Sequence, residues 1–275
     1  MKTKLLPIIA ITSFLALSLP SQASILISED FTGYTVGNGT LTGSNGGSGW
    51  NGAWTTFSGN GGNIVSPGLA GTPTGARTET GNGGIRDIAI ASKFGGIAYT
   101  GDIYVGFSFS PATYITGIAV IRLAGSSGNF PNFIMGVVAG TNSADNPYSF
   151  RGAVPALNDE IKISSSEVVG GVSAPVVRLV YRLAYTGSGV TMTQWVNPLS
   201  ETSGSVSSAT NAFANFQVEN ISLQSSGPYS PASFDNFTVA TTFAEAVAIP
   251  EPSALILVVG AFAVTYLRRH RRIKI

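Results

Sequence analysis

The sequence predicts an all-β protein, a two-sheet antiparallel sandwich of jelly-roll type. Three observations carry this expectation. Glycine supplies 34 of 275 residues, about twice its usual share. Charged residues make up only 11%, against roughly 25% in an average soluble protein. Apolar residues recur at period two between clusters of Gly, Asn and Ser, which is the pattern of short strands and turns. No stretch of the body shows helical spacing between cap residues. About ten to fourteen short strands over the body suit two packed sheets.

The clearest element is "VVRLVYRLAYTGSGVTMTQWVNP", residues 176–198. Val177, Leu179, Tyr181, Leu183 and Tyr185 share one face, and Arg178 and Arg182 share the other, where solvent is expected. The "TGSG" segment turns the chain, "VTMTQWV" returns, and Asn197-Pro198 ends the hairpin. Residues 101–110, "GDIYVGFSFS", alternate again, with Ile103, Val105, Phe107 and Phe109 inward. Strands are also expected from Gly117 and Asn132 onward, and around 84–90, 215–223 and 233–242. The "NGG" clusters at Asn45, Asn60 and Asn82 are turn chemistry and do not mark a repeat.

The two ends are read apart from the body. Residues 1–23 have Lys2 and Lys4, an apolar stretch from Leu5 to Leu19, and small residues at Ser21 and Ala23. That is a Sec-type signal peptide, passed through the translocon and cut by signal peptidase between Ala23 and Ser24. Residues 24–245 form the sandwich domain and 246–275 a C-terminal signal. In the latter, Pro250-Glu251-Pro252 holds an extended backbone. The uncharged run from Ala254 to Leu267 follows. Fourteen helical residues span about 21 Å, short of a bilayer core of roughly 30 Å, so Tyr266 and snorkelling arginines cover part of the deficit. Arg268, Arg269, Arg271 and Arg272 are a basic stop that favours the cytoplasmic side and leaves the body outside.

This ending resembles the PEP-CTERM sorting signal of Gram-negative bacteria, on Pro250, Glu251, Pro252, the apolar run and the four arginines. The resemblance implies an exosortase partner, a membrane cysteine protease-transpeptidase that processes the chain near the motif, in cells that make exopolysaccharide. It implies transient anchoring in the inner membrane with the body in the periplasm, then delivery to the cell surface or extracellular matrix. The segments "SEDFTGYTVGN", "LTGSNGGSGWNGAW", the 176–198 hairpin and "SFDNFTV" resemble concanavalin A-like, laminin-G-like domains. That likeness implies two curved sheets with the first strand beside the last.

Composition excludes several chemistries. With no cysteine, neither disulfides nor thiol catalysis is available. The single histidine, His270, lies in the basic tail, so the body holds no Ser-His-acid triad and no His-ligated zinc. Between residues 24 and 249 eight Lys and Arg face thirteen Asp and Glu, which argues against nucleic acid as a partner. A glycosidase needs two carboxyls about 5–10 Å apart. The close pairs here, Glu29-Asp30 and Asp159-Glu160, are adjacent residues, which point to opposite faces of a strand. Asp159-Glu160 reads as a solvated turn.

Three candidate sites remain. Trp50 and Trp54 in "GWNGAW", with Asn51 and Asn45 nearby, are a candidate glycan contact, or else loop anchors packed into the sandwich. Trp195 offers a second aromatic, either on the outer face or in the core. Asp30 and Asp235 are candidate ligands for a structural Ca2+, should the first and last strands pair. Arg178 and Arg182 are expected to pair with acids. The sequence therefore points to an exported, non-enzymatic surface or matrix protein that binds polysaccharide. The alternatives are a purely structural matrix component and, behind it, a glycoside hydrolase.

Overall fold

The computed structural model describes residues 25–69, 71–79, 83–87, 100–111, 118–124, 133–138, 150–154, 159–163, 176–186, 189–204, 206–210, 219–226 and 231–248. The signal peptide with its Ala23–Ser24 bond lies outside them. So do the Pro250-Glu251-Pro252 motif, the apolar run and the basic stop. Among the described residues no helix is long and apolar enough to cross a membrane.

The described chain is two antiparallel sheets, as the alternation predicts. The strands are β1 (Ile25–Glu29), β2 (Thr55–Ser58), β3 (Asn63–Val65), β4 (Gly75–Thr78), β5 (Gly83–Asp87), β6 (Thr100–Pro111), β7 (Ile118–Ala124) and β8 (Phe133–Val138). They continue with β9 (Phe150–Val154), β10 (Asp159–Ile163), β11 (Val177–Thr186), β12 (Val190–Val196), β13 (Val206–Thr210), β14 (Asn220–Ser226) and β15 (Ala232–Ala240). One sheet runs β13-β12-β11-β6-β15-β4-β3, with β1 also paired to β15. The other runs β10-β9-β8-β7-β14-β5-β2. Asp159 and Glu160 open β10, opposite Val154 and Ala153, and do not form the expected turn.

β15 is the hub of the larger sheet. One edge pairs with β6. The other pairs with β4 through residues 232–234 and with β1 through residues 237–240. Between these halves the register slips, and Asn236 takes a left-handed φ of 48°. Asparagine tolerates that conformation better than most residues. The bulge lets one strand serve two neighbours on the same side. The first strand thus lies beside the last, as the resemblance implied.

The core lies between the sheets. Ile103, Val105, Phe107 and Phe109 of β6 and the odd-numbered residues of β11 are buried against Ala119, Ile121 and Leu123 of β7 and Met135 and Val137 of β8. Tyr181 stacks on Phe107 at 6.1 Å. Its hydroxyl accepts a hydrogen bond from the Gly136 N–H at 3.1 Å, across to the other sheet. Thr78 and Ser225 make a second polar bridge between the sheets. The Tyr181, Thr78 and Ser225 hydroxyls are thereby satisfied at little cost.

The outer face of the larger sheet is also covered. A one-turn helix, α1 (Phe243–Val247), lies on it and packs Phe243 and Ala246 against Tyr104, Val180 and Trp195. Trp195 is therefore on the outer face but buried, with its ring 5.2 Å from that of Phe243. The expectation of no helix in the body fails here. Five residues are too few to show a period, yet Thr242-x-x-Glu245 has the sequence of a capping box. The Thr242 hydroxyl accepts from the Glu245 N–H at 3.5 Å and lies 2.9 Å from the Glu245 carboxylate.

Phe107→Ala should lower unfolding free energy by about 3–5 kcal/mol, through lost burial and a residual cavity. Urea titration should show a lower midpoint with an unchanged slope.

Candidate functional site

The expected aromatic platform is built around a buried ion pair. Glu29, at the end of β1, points into the sandwich and is 1% exposed. Arg86 of β5 reaches it from the opposite sheet, Nη1 to Oε2, at 2.6 Å. The same carboxylate oxygen accepts from the Tyr34 hydroxyl at 2.7 Å and the Trp54 indole N–H at 3.3 Å. Its other oxygen accepts from the Phe31 N–H at 3.0 Å. The Arg86 Nε donates to the Gly52 carbonyl at 2.7 Å, and Nη2 donates to the Asn45 side chain. Burial holds the Glu29 carboxyl above its ordinary range, while the Tyr34, Phe31, Arg86 and Trp54 contacts pull it down.

The tryptophans clamp this pair. The Arg86 guanidinium lies 4.6 Å from the Trp50 ring centre and 5.8 Å from that of Trp54. Trp54 is 2% exposed and packs against Phe31 and Trp50. It has no free face for a sugar and belongs to the core. Trp50 is half-buried between Trp54 and Phe237, and its indole N–H donates to the Ser28 carbonyl at 3.1 Å. Asn51 stays exposed beside them, with its backbone N–H bound to the Asp87 carbonyl at 3.0 Å. The loop carrying these groups docks on β1 through paired Ser28 and Ser48 backbone bonds. Gly49 makes the approach feasible. Its φ is +82°, and a Cβ there would lie 2.0 Å from the Leu26 carbonyl oxygen.

The first and last strands pair, and the Asp30 charge adds slightly to the burial that raises the Asp235 pKa. Their carboxylates are otherwise engaged. Asp30 accepts from the Thr32 N–H at 2.9 Å. Asp235, fully buried, accepts from the Leu69 N–H at 2.8 Å, the Asn236 N–H at 2.8 Å and the Thr72 hydroxyl. N–H and O–H donors around a carboxylate are the reverse of the oxygen cage a hard cation requires. Among the described residues no group of three His, Cys, Asp or Glu could hold a metal. As arranged, the pair does not fit Ca2+; Asp235 instead pins the 68–72 loop to β15.

The two arginines of β11 part company. Arg182 pairs with Asp102 at 3.9 Å and Glu201 at 3.7 Å, in the expected manner. Arg178 is not solvated: it is 8% exposed beneath α1. Its Nη1 donates to the Asn236 carbonyl at 2.7 Å, and Nη2 to the Ala246 carbonyl at 2.5 Å and the Ala248 carbonyl at 3.4 Å. Burial pushes its pKa down to about 10, against the pull of Asp235.

No protein-family model matches the chain, and no curated protein matches it by sequence. Among solved structures it is similar to the globular domain of T. cruzi calreticulin, at 12% identity and TM-score 0.48, over 90% of this chain and 100% of that one. It is also similar to domain 4 of AbnA, an extracellular GH43 arabinanase from Geobacillus stearothermophilus solved with arabinotriose. That match has 11% identity and TM-score 0.47, over 82% and 97% of the two chains. The binding domain of botulinum neurotoxin serotype D matches at 11% identity and TM-score 0.46, over 80% of this chain. The match spans about half of that toxin domain, 48%.

Two outcomes follow. Arg86→Met leaves the Glu29 carboxylate buried without its counter-charge, and should cost about 3–5 kcal/mol in chemical denaturation. Glu29→Leu with Arg86→Met should recover much of that loss. The second outcome concerns pH. Burial raises the Asp235 carboxyl to about 6, above the unfolded value of about 3.9, so in this window the native state binds more protons. Its contribution is full below about pH 4 and is lost as pH rises through about 6. Asp235→Asn should flatten that part of the stability–pH curve.

Proposed function

We propose that this is an exported, non-enzymatic protein with a concanavalin A-like jelly-roll body, sorted to the cell surface or extracellular matrix by an exosortase. A Sec signal peptide starts export. The C-terminal apolar helix holds the chain in the inner membrane until the Pro250-Glu251-Pro252 motif is processed. The observation that carries this reading is the order and spacing of motif, apolar run and basic stop within 27 residues.

Within that reading the body contacts exopolysaccharide through the 43–54 loop, where Asn51 and the open edge of Trp50 face solvent. A second reading is a matrix component with no glycan pocket. The burial of Trp54 and the engagement of the Trp50 indole N–H favour it.

Replacing Pro250, Glu251 and Pro252 by alanine should leave an unshortened chain in the inner-membrane fraction, detected by mass spectrometry. Intact processing in that variant sinks the sorting reading. Saturable binding of the purified chain to host exopolysaccharide, weakened at least severalfold by Asn51→Ala, would favour the lectin-like version. Absence of binding across host and common glycans would favour the structural one.

A further inference from the structure

The C-terminal strap, Thr242 to Ala248, is held on the sheet in an unusual way. Arg178 is a buried cation whose bound nitrogens all donate to backbone carbonyls, of Asn236, Ala246 and Ala248. Among the described residues its Nε has no partner, nor has the hydroxyl of Ser108, its cross-strand neighbour. Gly106 of β6 supplies the space. A Cβ at that position would lie 1.9 Å from the Ala246 carbonyl oxygen and 2.8 Å from the Arg178 guanidinium. A five-residue helix has no stability of its own. An imperfectly satisfied buried charge adds a desolvation cost. Such a segment belongs to the part of a fold that opens most readily.

From Ala248 to Ala254, where the apolar run begins, six residues reach at most about 20 Å. From Ala240, the end of β15, fourteen residues reach about 50 Å. Peptide-binding clefts commonly take an extended segment through its backbone N–H and C=O groups. With the strap seated, the carbonyls of Ala246 and Ala248 are already bound to Arg178, and residues 243–247 are helical. A processing enzyme that binds residues before Pro250 must first draw the strap away.

We propose that Arg178, seated over Gly106, is a positioning residue that restrains C-terminal processing by holding residues 242–248 on the body. This inference rests on the sorting reading above. Release of the strap frees the segment before the motif and more than doubles the reach between body and membrane. The partner is the membrane protease that acts at the Pro-Glu-Pro motif, and the strap sets when its cleft can be filled.

The test uses the full chain in producing cells, with pulse-chase measurement of shortening. Arg178→Met removes the clamp, and Gly106→Ala keeps the arginine but places a methyl against both the Ala246 carbonyl and the guanidinium, wedging the strap away. Both should speed shortening by about tenfold, the factor that corresponds to one lost charge-assisted hydrogen bond. Hydrogen exchange should show lost protection at 243–248 with protection of β6 and β11 retained. A merely structural role would slow export and reduce yield instead. Inserting six Gly/Ser residues after Ala248 leaves the clamp intact, frees the approach to the motif, and should also speed shortening. Shortening that needs Pro250-Glu251-Pro252 yet runs at the wild-type rate in all three variants overturns this inference alone. A chain never shortened in any form overturns the sorting reading and this inference with it.

Discussion

The Glu29–Arg86 pair is the constraint on which the rest of the sandwich depends. The chain has no cysteine, so no disulfide cross-links the two sheets. Glu29 lies in the larger sheet and Arg86 in the smaller, and their 2.6 Å contact crosses between them. Around it the 43–54 loop finds its place: Asn45, Gly52 and Trp50 all meet Arg86. A buried pair of this kind adds little net stability compared with apolar packing. What it does is penalise every arrangement in which either partner is alone. The pairing of sheets, the seat of the first strand and the fold of a glycine-rich loop are thereby made one decision.

The larger sheet repeats this logic on its outer side. Asp235 gathers the 68–72 loop, and Arg178 gathers the strap. Both are charged groups removed from water and answered by backbone groups of the segment they hold. The sheet is consequently covered on both faces over β6, β11 and β15, which is why Tyr104, Val180 and Trp195 are buried on the side opposite the main core. Arg182, farther along β11, remains near solvent and pairs with side chains.

Much of the fold was legible because period-two alternation is a direct image of a half-buried strand. The 176–198 hairpin, β6, β7, β8 and the pairing of β1 with β15 all agree with the sequence reading. The reading fails where a second layer covers a face. Arg178 alternates with apolar residues and so looks solvated; nothing local reveals that residues about seventy positions later lie over it. The tryptophans were recognised as special, but their partners were not. The signals were an acid at Glu29, two residues after inward-facing Ile27, and a lone arginine inside the β5 strand. In a body this poor in charge, each had to find the other. The helix was missed although Thr242-x-x-Glu245 announces it, since one turn offers no periodicity to count.

The place of β15 has a consequence for how the molecule comes to be folded. It is the last strand in chain order among the described residues, yet β6, β4 and β1 all bond to it. A chain made from its N-terminus therefore carries the β15-facing edges of those three strands unpaired until residues 232–240 have emerged. Contacts as distant as Ile25 with Ala240 close loops of great length, and topologies of that kind fold slowly. Until then the open edges invite pairing with other chains. A single late insertion completes the larger sheet, so partial lengths of this protein gain little from folding early, and a binding partner that shields those edges has its greatest effect before residue 232 arrives.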